Sequence, residues 1–123
     1  MNTTITRDES GVAAVEAALV LPLMLAVSLG GVDLGLGVVD KISLTNAATC
    51  GVHYAAHPTG DVAAFTTNRC LPRLISTTGV EVTVDVTAET VTVTVTGDRT
   101  PLSPFVPPMT LTATATMPLG KGA

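Results

Sequence analysis

Large rings are nearly absent from this sequence: it has no tryptophan, and its aromatics are Tyr54, Phe65 and Phe105. A core must therefore be built from Val, Leu, Ala and Thr, a set that suits aliphatic strands. Charge is scarce as well. Six Lys and Arg are scattered among ten Asp and Glu, giving a net charge of -4. No basic cluster is present to track a phosphate backbone and almost no stacking surface exists, so nucleic acid is not an expected partner. Cysteine is limited to Cys50 and Cys70. In an oxidising compartment the two would close one loop and contribute about 2–4 kcal/mol; two unrelated buried thiols is the other reading. The remaining ligand candidates nearby, His53 and His57, precede Pro58 at i and i+4 spacing. They read as surface histidines rather than zinc ligands, and neither metal nor cofactor is expected. Enzyme signatures are missing too: there is no G-x-S-x-G and no Gly-rich phosphate loop between a strand and a helix. Glu81, Asp85 and Glu89 fall on the polar side of a strand and its turn, where solvation accounts for them. No catalytic residue is assigned, and the chain is expected not to be an enzyme.

What the chain has in quantity is aliphatic sequence near its N-terminus. The pass from Ala17 to Val39 is apolar apart from Ser28, Asp33 and glycines, matching the ~20 residues with which a helix crosses hydrocarbon. Pro22 and the glycines Gly30, Gly31, Gly35 and Gly37 would weaken such a helix in water, whereas a membrane tolerates them. Pro22 is expected to bend it. In front lies a short polar head, MNTTITRDESG, which meets the apolar run abruptly. It lacks the basic n-region and the A-x-A-like site of a secretory signal.

Helical spacing continues past the apolar run in Ile42, Leu44, Ala47, Ala48, Val52 and Ala55, so the helix is expected to reach about residue 56, where His57, Pro58 and Gly60 stop it. Asp61 is a plausible N-cap for a short second helix over 61–71, ended by Pro72 and carrying Cys70 within reach of Cys50. The period then changes from 3.6 to 2. Valines 80, 82, 84 and 86 alternate with polar residues, and after a turn at Ala88 and Glu89 the pattern returns in Val91, Val93 and Val95, closed by Gly97 and Asp98. A Pro-rich loop leads to a third alternation in Leu111, Ala113, Ala115 and Met117. Strands are expected at about 80–87, 90–96 and 110–117, forming a three-stranded antiparallel sheet whose apolar face is covered by the extramembrane helix. The fold class is α+β, with a leader at 1–11, a membrane helix at 12–39 and an outer domain at 40–123. The threonine faces have two readings, an adhesive or glycosylated surface and simple polar strand formers.

The most specific feature is Gly11 followed by Val12 and, five residues after the glycine, by Glu16, the first charge of a helix that carries no other until Asp33. A carboxylate a turn into a membrane segment calls for a partner. Cleavage after Gly11 would create one, because the new α-amino group of Val12 is cationic and Glu16 of the same or a neighbouring subunit can neutralise it. A headgroup position for Glu16 is the alternative. Asp33 has two readings, placement at the outer interface or orientation toward other helices in an assembly.

RDESGVAAVEAALVLPLML resembles the N-terminus of TadE-like proteins, minor pilins or pseudopilins of tight-adherence, Flp-type pilus systems. LTNAATCGVHYAA, VTVTVTGDRTPLSP and LTATATMPL resemble that family's region after the membrane helix, its strand and Pro-rich loop, and its closing strand. The leader departs from the family in carrying Arg7 beside Asp8 and Glu9, where relatives are richly basic. The resemblance implies cleavage between Gly11 and Val12 by a prepilin peptidase, with Glu16 recognised in processing or assembly. It further implies residence in the inner membrane with the leader cytoplasmic and the domain outside, and partners among other pilins, the pilus assembly platform and membrane lipid. An uncleaved single-pass protein with a partner-binding outer domain is the competing reading, and a β-rich module released by signal peptidase is a third.

Overall fold

From Glu9 to Ala55 the backbone forms one helix, α1, in a computed structural model that describes residues 9–56, 60–71, 74 and 76–120. The head from residue 1 to 8, the expected helix stop at His57 and Pro58, and the expected helix end at Pro72 lie outside the described residues. The helix runs through Pro22 and the glycine cluster. Its two halves differ in surroundings. Before Asp33 the large apolar side chains, from Val12 to Val32, are exposed on all sides. From Asp33 onward a stripe at i, i+3, i+4 and i+7 spacing turns inward through Asp33, Asp40, Leu44, Ala47, Ala48, Val52 and Ala55. Ile42, expected on that stripe, points away and is exposed, because it lies two residues from both Asp40 and Leu44, about 200° around the helix from each.

Asp61 caps the short helix α2, Val62–Phe65, its Oδ1 accepting the N–H groups of Ala63 and Ala64 at 3.0 and 3.2 Å. The regular helix expected to reach residue 71 instead widens after one turn into a π-helical turn, Thr66–Cys70, closed by the Leu71 N–H on the Thr66 carbonyl. Thr66 is the reason available in the packing: it is buried, its hydroxyl bonds the Val62 carbonyl at 2.7 Å, and it presses on Gly51 of α1, where a Cβ would have no room. Phe65 stacks on Tyr54 with ring centroids 3.7 Å apart.

Three strands follow, β1 (Thr77–Val86), β2 (Thr90–Arg99) and β3 (Met109–Pro118), antiparallel in the order β1-β2-β3. The β1–β2 turn is tied by Thr87, whose N–H and hydroxyl both bond the Thr90 carbonyl. Val91, Val93, Val95 and Ala113 meet Leu44, Ala47, Ala48, Val52 and Ala55 of α1 in the buried core. Each fully buried Val or Leu there contributes about 1.5–3 kcal/mol. On the opposite face the threonines pair across strands, Thr92 with Thr116 at 3.0 Å and Thr94 with Thr114 at 3.3 Å, a cross-strand ladder typical of a solvated sheet face.

Two strands extend beyond their expected ends. β2 does not close at Gly97 and Asp98 but runs on to Arg99, continuing the inward series Val91, Val93, Val95, Gly97, Arg99. β1 starts at Thr77 rather than near Val80, with a bulge between Thr78 and Glu81. Gly79 supplies the left-handed residue, at φ +61°. The extra residue switches the parity of the strand, so that Thr77 and Val80 both face the helix.

Candidate functional site

The first turns of α1 carry the residues singled out for processing. Gly11, Val12 and Glu16 are all exposed, and a side chain added at Gly11 would meet nothing. Val12 and Glu16 stand one turn apart on one side of the helix, with Val15 and Leu19 beside them. An amino group created at Val12 would therefore lie about 6 Å along the axis from the Glu16 position. Among the described residues, one helix is long and apolar enough to cross a membrane, and its most hydropathic window is unburied by the rest of the chain.

At the other end of the bare stretch the chain makes a charged joint. The Asp33 carboxylate accepts the Leu102 N–H at 2.7 Å and the Ser103 N–H at 2.8 Å, and it pairs with the Arg99 guanidinium at 3.4 Å. Arg99 also donates to the Asp33 backbone carbonyl. The guanidinium passes over Gly37, where a Cβ would stand 3.1 Å from Nε and 3.2 Å from Cζ. Both charged side chains are almost completely buried. The Asp33 carboxylate is turned toward its own domain, because helix periodicity places it on the same stripe as Leu44 and Ala47. Two turns later Asp40 accepts the Ser76 N–H at 3.0 Å, the Ser76 hydroxyl at 2.8 Å and the Thr77 hydroxyl at 2.7 Å. Lys41 donates to the Thr112 carbonyl of β3. Helix and sheet are therefore joined by apolar contacts at one end and by buried polar contacts at the end nearer the bare helix.

Cys50 and Cys70 are joined by a disulfide with Cα atoms 5.8 Å apart, tying α1 to the π-helical turn. His53 is exposed, and His57 lies outside the described residues. Among the described residues no group of three or more His, Cys, Asp or Glu is placed to hold a metal ion.

The sequence reading missed Arg99, Asp40 and Gly37. Each could have been found by extending a pattern. Counting on by twos from Val91 reaches Arg99, and counting back by turns from Leu44 reaches Asp40, Gly37 and Asp33.

A scan of family models returns one described as TadE-like protein, over the segment that holds the processing residues, the bare helix and the Asp33 to Asp40 stripe. Residues 11–52 match the TadE-like family. The match begins at Gly11 and ends at Val52, so it takes in the first stretch of the resemblance from its glycine on and most of the second, and it stops short of the sheet. No curated protein and no solved structure matches the chain. The matched segment covers about a third of the chain. The one long apolar helix among the described residues fits a single-pass membrane protein.

Proposed function

We propose that this chain is a minor pilin or pseudopilin, cut between Gly11 and Val12 by a prepilin peptidase and assembled by its N-terminal helix into a tight-adherence pilus or related secretion system. The observation that carries the reading is the TadE-like match opening at Gly11, at the head of an apolar helix with Glu16 one turn from the new terminus. The leader stays in the cytoplasm, the helix crosses the inner membrane, and the domain stands outside, where its disulfide is compatible with the redox environment. Glycine at the cut favours access. It lies in the first helical turn, where backbone N–H groups lack intrahelical acceptors, and it is about 1 kcal/mol poorer than alanine as a helix former.

Once the cut is made, the Val12 ammonium and the Glu16 carboxylate offset one another's desolvation at the lipid boundary, within one subunit or between staggered neighbours. Gly11→Val should leave a chain that keeps its leader and migrates as the longer form in cells with a working pilus apparatus. Glu16→Leu should still enter the membrane but lose co-purification with the pilus components. Unchanged processing of the first variant and unchanged co-purification of the second would contradict the assignment.

A further inference from the structure

Between β2 and β3 runs the loop Thr100–Pro108, TPLSPFVPP, which contains no charged residue. It is pinned beside α1, since the N–H groups of Leu102 and Ser103 both end on the Asp33 carboxylate. Two large apolar side chains nevertheless face outward from it, Leu102 at 67% and Phe105 at 69% exposure, and Met109 beside the loop is exposed as well.

The loop has few unpaired backbone donors. Four of its nine residues are prolines, which have no N–H to satisfy. Thr100 donates to the Ser76 carbonyl at 3.0 Å, and Leu102 and Ser103 donate to Asp33. Only the N–H groups of Phe105 and Val106 remain, so removing the loop from water strands few donors.

Its position along α1 sets the depth. From Val12 to Asp33 the helix rises about 32 Å, which matches the ~30 Å of a bilayer's hydrocarbon. The domain leaves the residues in between bare, exposed apolar side chains continue on the outward face through Leu34, Val38, Val39 and Ile42, and the loop is fastened to the helix at Asp33. An exposed Leu and Phe at that level continue the apolar surface of the helix sideways.

We propose that the Thr100–Pro108 loop is a membrane-surface wedge, with Leu102 and Phe105 inserted at the outer boundary between acyl chains and headgroups. This rests on the reading of α1 as membrane-spanning. The domain is then held to the bilayer at two points, the helix and the loop, and its orientation is fixed before assembly. Side chains of this kind bury about 5–10 Å into such a boundary.

The chain has no tryptophan, so a single introduced one reports its own surroundings. Full-length protein is reconstituted in vesicles of phosphatidylcholine and phosphatidylglycerol as three variants: Phe105→Trp in the loop, Leu23→Trp in the bare helix, and Ala88→Trp in the β1–β2 turn at the opposite end of the sheet. Quenching by lipids brominated at shallow and deep acyl positions is compared with quenching by aqueous iodide. The Phe105→Trp variant should be quenched most by shallow bromines and be several-fold less sensitive to iodide than the Ala88→Trp variant. The Leu23→Trp variant should be quenched most by deep bromines.

Iodide sensitivity of the Phe105→Trp variant equal to that of Ala88→Trp, with Leu23→Trp still quenched by lipid, overturns the wedge and leaves the span standing. Shielding from iodide without quenching by bromines would assign the loop to a protein contact and also overturns it. A Leu23→Trp variant open to iodide removes the membrane reading itself, and the wedge with it.

Discussion

Gly37 shows how narrowly one residue sets the joint between helix and sheet. Arg99 reaches Asp33 across Gly37, and its Nε would stand 3.1 Å from a Cβ at that position. A larger side chain there displaces a buried guanidinium from its carboxylate, and overpacking of this kind costs about 1–3 kcal/mol. Gly35, two residues away, has open space where a Cβ would be. Thermal unfolding of the full chain in detergent should therefore show a lowered midpoint for Gly37→Val and none for Gly35→Ala, which gains helix propensity instead. Equal behaviour of the two variants would mean that the Arg99 to Asp33 contact does not hold the domain to the helix.

At the scale of elements, the stability of the outer domain depends on which side of α1 meets the sheet. Leu44 is fully buried against the valines of β2, whereas Ile42 is exposed on the opposite side. Leu44→Ala should cost about 2–5 kcal/mol in denaturant unfolding. Ile42→Ala should stay within about 0.5 kcal/mol of the parent, as surface substitutions do. The sequence made much of this level readable. The change from a 3.6 to a 2 period located the helix and the three strands, and Asp61 announced the start of α2. What it hid were the places where a local signal and a tertiary contact disagree. Gly97 and Asp98 read as a strand end, yet β2 continues because Arg99 has a carboxylate to reach on α1. Val80 reads as the start of β1, yet a bulge extends the strand back to Thr77 so that its hydroxyl can reach Asp40. The π-helical turn had no local signature at all, since it is the packing of Thr66 on Gly51 that accompanies it.

For the whole molecule, the division of labour follows from where the domain stops. About 30 Å of helix is left bare by the domain, and from Asp33 onward one side of the helix packs on the sheet. The residues proposed for processing are named from order along the chain alone: a polar head, a glycine, a valine and an acid one turn later. The joint at Asp33 was not, because an acid in an apolar run signals a need for a partner without naming it. With Arg99 as that partner inside the chain, Glu16 is left as the acid on the bare helix, which concentrates the proposed assembly chemistry at one end. A fresh terminus at Val12 is the condition on which that chemistry depends. The direct measurement is intact mass and N-terminal sequencing of the protein recovered from cells with a working pilus apparatus. The account predicts a chain that begins at Val12, lacking residues 1–11; a chain that still begins at Met1, or one that begins beyond residue 25, would contradict it.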